Sequence, residues 1–300
     1  MYYRRKVLLA LLQIFDGSLE KIRLQKLLFL FSQRQSMIGV SSPPCYDFIP
    51  YKYGCFSYSA YADLAVMVKK SILTEDDKQF FKEDSNDYFK QLKAEDKKYM
   101  SEVKILYGHM NSTSLIKHTY INYPFYAIYS EVAKNHLNSE EMKKVNSAIP
   151  SVKNITLFTI GYEGVSLEAY LTKLIKNDIK LLVDVRNNPL SMKYGFSKNQ
   201  LKKYCEGVGI QYIHFPDVGI QSEQRQELNN QNDYDTLFEI YRKENLPKTQ
   251  ATQNTILNLL AQYQRIALTC FEAEVCQCHR SHLAHAITQL PGFHYELKHI

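Results

Sequence analysis

The stretch ITLFTIGYEGVSLEAYLTKLIKNDIKLLVDVRNNP, residues 155–189, decides the fold. Residues 155–160 are a continuous apolar run stopped by Gly161. Residues 167–175 place leucines, a tyrosine and an isoleucine at helical spacing, and residues 180–185 look like a buried strand. A strand, a helix and a strand in that order make a crossover unit, and crossover units build parallel sheets covered by helices. The alternation continues outward. Helical spacing predicts helices over 198–206, 235–244, 249–264 and 278–289, and strands over 210–215, 265–270 and 293–300. The expected fold of residues 151–300 is therefore α/β, a mainly parallel sheet with helices on both faces.

Ligands of such sheets sit at the carboxyl ends of the strands. Tyr162 and Glu163 follow the first strand, and Asp184, Arg186 and Asn188 close the second. His214 ends the third, Cys270 and Glu272 end the fourth, and Lys198 opens an intervening helix. These residues are expected on one rim, together with Cys278, His279 and Arg280 at the start of the next helix.

The turn RIALTCFEAEVCQCHRSHLA, residues 265–284, admits three chemistries. Cys270, Cys276, Cys278, His279, His282 and His285 are all zinc-ligand types, yet no pair of CxxC knuckles accompanies them, so no metal or cofactor is assigned. Cys270 and Cys278 stand where a helix amino terminus lowers a thiol's pKa. The phosphatase spacing of cysteine, five residues and arginine fails, because Cys276 stands where the arginine would. Third, Arg186 and Arg280 can clamp a phosphate, with Asp184 and Glu272 as acid–base carboxylates and Cys270, Cys278 and His279 shaping the pocket. The competing expectation is an ion network in which the same carboxylates and arginines pair with one another.

The chain has 300 residues, net charge +6, 45% hydrophobic residues and six cysteines, too few for a disulfide scaffold. A reducing cytoplasm and anionic partners, nucleic acid or nucleotide, are expected. Met1–Lys6 and the leucines after it imitate the start of a signal peptide, but no small-residue cleavage site follows, so two successive helices are expected. No apolar run reaches the ~18 residues of a membrane span. Residues 1–150 read as mostly helical, over 7–15, 19–33, 59–70 and a charged stretch from 74 to 107. An aromatic turn lies between Pro43 and Tyr58, and the polar residues 136–154 mark the boundary.

Thr159–Gly164 (TIGYEG), the DVRNNPLS of residues 184–191, GFSK at 195–198, YIHFP at 212–216, and Cys270, Glu272 and Cys278-His279-Arg280 together resemble the family catalogued as domain of unknown function 488, over roughly residues 155–300. The family's Leu-Gly-Gly after the third strand is Val218-Gly219-Ile220 in this chain. The resemblance implies an α/β domain whose Asp-Val-Arg and Cys-His-Arg motifs form one site, with nucleic-acid repair or modification as its attached role. LQKLLFL at 24–30, FIPYKYG at 48–54, Phe56-Ser57 and YINYPFY at 120–126 are similar to the Panacea-type domains of bacterial antitoxins and phage-linked proteins, over residues 1–135. That resemblance implies a protein partner or a regulatory role for this half. The resulting expectation is an enzyme on nucleic acid or nucleotides, by base release or phosphodiester cleavage. The alternatives are a non-catalytic sensor or antitoxin-like phage-defence module, and a thiol or zinc enzyme.

Overall fold

In the computed structural model, residues 1–36, 43–221 and 231–300 are described. They form two compact units, Met1–Ile149 and Pro150–Ile300.

The first unit is mostly helical. Helices Tyr3–Ile14, Lys21–Ser36, Tyr58–Lys69 and Ala94–Tyr107 bury Leu8, Leu27, Phe31, Leu64 and Met100 in one core. Short strands β1 (Ser18–Glu20), β2 (Ile49–Tyr51), β3 (Gly54–Phe56), β4 (Leu73–Glu75) and β5 (Gln79–Lys82) lie between the helices. The aromatic turn after Pro43 is the β2–β3 hairpin, with Tyr51, Phe56 and Tyr58 ring against ring.

The stretch from 74 to 107 is not one helical run. Its first part is the β4–β5 hairpin, and only Ala94–Tyr107 is a long helix. The Asp76 carboxylate makes the turn by accepting from the backbone N–H of Lys78 and Gln79 at 2.7 and 2.6 Å. β5 then gains a second partner in β1, distant in sequence, and that pairing outweighs local helical spacing. The polar boundary also contains a helix, Ser139–Ser147, started by a capping box. The Asn138 side chain accepts from Glu141 N at 2.9 Å, and the Glu141 carboxylate accepts from Asn138 N at 2.8 Å. Asn138→Ala is expected to lower the first unit's stability by about 1 kcal/mol in urea denaturation. An unchanged midpoint would mean that the buried Val145 alone holds this helix.

The second unit is the expected α/β domain. Strands β6 (Thr156–Gly161), β7 (Leu181–Asp184), β8 (Gln211–His214), β9 (Arg265–Cys270) and β10 (Glu296–His299) form one sheet in the order β10-β6-β9-β7-β8. Every neighbouring pair is parallel. Side chains alternate across it. On one face Leu157, Val183, Ile266 and Leu268 pack with Ile256, Leu260, Leu283 and Ile287, from helices Gln250–Tyr263 and His279–Thr288. The opposite face meets helix Leu167–Lys176, whose Tyr170 hydroxyl donates to Thr269 Oγ1 at 2.7 Å. Burying this sheet on both faces explains why β6, β7 and β9 are mostly apolar and buried from end to end. Because all the strands point one way, the carboxyl ends of β6, β9 and β7 lie side by side. Among the described residues no helix is long and apolar enough to cross a membrane.

Candidate active site

The site begins where β6 and β9 end. The backbone N–H groups of Tyr162 and Glu163 both donate to the Phe271 carbonyl, at 3.1 and 2.9 Å. Gly161 lies directly against the Glu272 carbonyl, and any Cβ there would collide with it. The Glu163 carboxylate accepts from Ala273 N at 3.1 Å, so Glu163 ties down the loop after β9.

β7 ends in a buried ion pair. Asp184 is fully buried and Arg186 is 5% exposed. Arg186 Nε and Nη2 donate to the two carboxylate oxygens at 2.8 and 2.5 Å, a fork-to-fork pair. Arg186 Nη1 donates to the Tyr162 hydroxyl at 2.8 Å and the Phe196 carbonyl at 2.9 Å. The Tyr212 hydroxyl donates to Asp184 at 2.5 Å, and Tyr162 stacks on Phe196 with ring centroids 4.3 Å apart. The ion network anticipated from sequence, Asp184 and Arg186 with Arg280 and Glu272, takes another form: Asp184 pairs with Arg186, two residues on, and Arg280 turns to backbone carbonyls.

The wall opposite is built from thiols and an imidazole. Cys270, Cys278 and His279 are all buried, and their ligand atoms lie within 4.8 Å of one another. Cys270 Sγ is 3.1 Å from the Glu272 carboxylate and 3.6 Å from His279 Nδ1. His279 Nε2 lies 3.0 Å from the Val185 carbonyl. A carbonyl only accepts, so this contact assigns the proton to Nε2 and turns the Nδ1 lone pair toward Cys270. Burial, then the contact with Cys270, pushes the Cys278 thiol well up from its ordinary value.

Between these walls lies a cavity of about 310 Å³. Tyr162, Arg186, Asn188, Cys270 and His279 line it, as expected from sequence. Asn187, Leu190, Met192, Ile220 and Phe271 line it as well, without having been singled out. Asn187 and Phe271 each directly follow an expected residue, which is the signal that was available. Leu190, Met192 and Phe271 are exposed at 76%, 106% and 42%.

Other expected residues lie outside this lining. Arg280, 1% exposed, donates through both terminal nitrogens to the carbonyls of Glu272 and Ala273 and so clasps the loop after β9. Lys198 Nζ is 3.0 Å from His214 Nδ1, and His214 Nε2 is 2.8 Å from the Arg186 carbonyl. Neither lines the cavity. His282 packs on Phe238 at 4.6 Å, and burial together with the adjacent Arg242 pushes its pKa down to about 4.

This geometry defines a class, a parallel α/β domain with its cavity at the carboxyl ends of three central strands. Residues 166–287 match the family model described as "Domain of unknown function DUF488", so this part of the second unit is similar to that family. No curated protein and no solved structure matches the chain.

Proposed function

We propose that the second unit is an enzyme acting on the base of a nucleic acid or nucleotide held in this cavity. The carrying observation is the lining itself, with aromatic rings, two amide side chains and a Cys270–His279 pair around about 310 Å³. That volume is at the small end of ligand sites. Tyr162 and Phe271 offer ring surfaces to a planar base, and Asn187 and Asn188 offer amides to its polar edge. The exposed Leu190, Met192 and Phe271 supply apolar contacts at the mouth for a base taken out of its stack. The net charge of +6 favours an anionic partner.

The roles differ from a two-arginine phosphate clamp. The Arg186 guanidinium makes four hydrogen bonds inside the protein, and Arg280 holds backbone carbonyls. Both act as positioning residues, with Asp184 and Glu163. The chemistry falls to Cys270, His279 and Glu272, which favours attack on the base or its glycosidic bond over phosphodiester cleavage. A thiol mechanism, with His279 activating Cys270, is the second reading, supported by the 3.6 Å approach of Sγ and Nδ1. For the first unit we propose partner binding or regulation. Its cavity of about 290 Å³ is lined by Tyr51, Tyr53, Phe56, Tyr61 and Lys52, a surface suited to a protein segment.

The test is incubation with single- and double-stranded DNA and RNA, including modified bases, and with nucleotides, scored for released or altered bases and strand cuts. Base-directed product is expected. Phe271→Ala is expected to weaken binding about tenfold, the equivalent of one stacking contact. Saturable binding without product would instead make the domain a sensor. Neither product nor binding, or binding indifferent to Phe271, would end the proposal.

A further inference from the structure

We infer that Cys270, Cys278 and His279 bind one zinc ion at the cavity wall. Three features carry the inference. The first is the donor set. Two thiols and an imidazole are soft to intermediate ligands that select zinc over calcium or magnesium. The second is spacing. A tetrahedral zinc with Zn–S of about 2.3 Å and Zn–N of about 2.0 Å places a sulfur and a nitrogen ligand about 3.5 Å apart. Cys270 Sγ and His279 Nδ1 are 3.6 Å apart, and Cys278 Sγ completes a triangle with every side within 4.8 Å. The third is orientation. Metal-bound histidines anchor the nitrogen that does not bind on a carbonyl or carboxylate, and His279 Nε2 is anchored on the Val185 carbonyl at 3.0 Å.

The surroundings fit the charge of such a centre. Two thiolates, a neutral imidazole and a divalent ion sum to zero. The Glu272 carboxylate, 3.1 Å from Cys270 Sγ, adds one negative charge. Arg280, next in sequence after His279, supplies the opposing positive charge. The guanidinium is buried, and its Nε has no partner among the described residues. A cation in that position is balanced by an anionic cluster beside it. Among the described residues the other cysteines lack this company. Cys205 is a buried core residue outside the cluster, and Cys276 is exposed.

Three protein ligands leave a fourth position, the arrangement of catalytic rather than structural zinc. Cys270 and His279 line the cavity, so the open position faces whatever binds there. Glu272, whose carboxylate is 3.1 Å from Cys270 Sγ, would then be the base beside that open position. This deepens the base-directed reading above and rests on it for the role of the metal alone. The metal measurement itself needs no substrate, so the two ideas fail separately.

The experiment is metal analysis of the full chain, followed by chelation and titration with zinc and with cobalt, whose thiolate complexes absorb by charge transfer. One equivalent per chain is expected, with a cobalt–thiolate band that zinc displaces. Cys278→Ser and His279→Ala are expected to weaken zinc binding by more than about a hundredfold, beyond the loss of an outer-shell partner. Cys276→Ser is expected to bind like the wild type. Circular dichroism before titration separates lost ligation from lost folding, and the wild-type titration decides the matter if the variants do not fold. No stoichiometric binding by the wild type would overturn the inference. So would binding that folded Cys278→Ser and His279→Ala variants retain.

Discussion

Asp184→Asn is expected to destabilise the second unit by about 3–5 kcal/mol, the usual effect of removing one partner of a buried ion pair. The carboxylate is fully buried and receives both prongs of Arg186 and the hydroxyl of Tyr212. An amide in its place keeps the shape but removes the charge, which leaves the guanidinium buried and uncompensated. The chain has no tryptophan, so far-ultraviolet circular dichroism in urea is the suitable readout. The double variant Asp184→Asn/Arg186→Met is expected to recover part of the loss, because it removes the orphaned charge along with its partner. A single-variant effect below about 1 kcal/mol would mean that the pair behaves as an exposed salt bridge.

Arg280→Met is the second large effect. The arginine clasps the carbonyls of Glu272 and Ala273, and hydrogen bonds from charged groups contribute about 1.5–3 kcal/mol each. Loss of both is expected to destabilise the domain by about 3–6 kcal/mol. It is also expected to loosen the loop that carries Glu272, weakening zinc binding about 10–100-fold, as for an outer-shell partner. The phosphate-clamp alternative makes a different forecast. There, the variant would reduce the slope of nucleic-acid affinity against salt by about one, with stability nearly unchanged. Salt-dependent binding and denaturation, measured on the same protein, tell the two apart.

The parallel sheet was legible because its signal is local. The strands Thr156–Gly161, Leu181–Asp184 and Arg265–Cys270 are mostly apolar and buried at every position, as a sheet covered on both faces requires. Their direction then puts Tyr162, Arg186, Asn188, Cys270 and His279 around one cavity. What side chains do on arrival was not legible. Arg280 differs from a ligand-binding arginine only in meeting the carbonyls of Glu272 and Ala273, and that is a matter of loop geometry. The cysteine cluster was discounted for want of CxxC knuckles, because spacing along a chain does not register one ligand from a strand end joining two from a helix start. In the first unit the β4–β5 hairpin was hidden because its stabilising partner, β1, lies far back in sequence. The capping box at Asn138 was readable, with Glu141 three residues on, but lay inside a polar stretch read as a boundary.

The position of β9 between β6 and β7 also sets a timetable for synthesis. A growing chain that has produced β6, β7 and β8 still has no neighbour for the inner edges of β6 and β7 until residues 265–270 emerge. Pairing between segments so distant is slow, and until it happens two apolar strands offer unpaired backbone to other chains. The strand that relieves this hazard is the one that carries Cys270, and helix His279–Thr288 follows it directly. Chains stalled before residue 265 are therefore expected to be aggregation-prone and chemically blank together, because one late insertion joins β6 to β7 and brings the reactive groups into place.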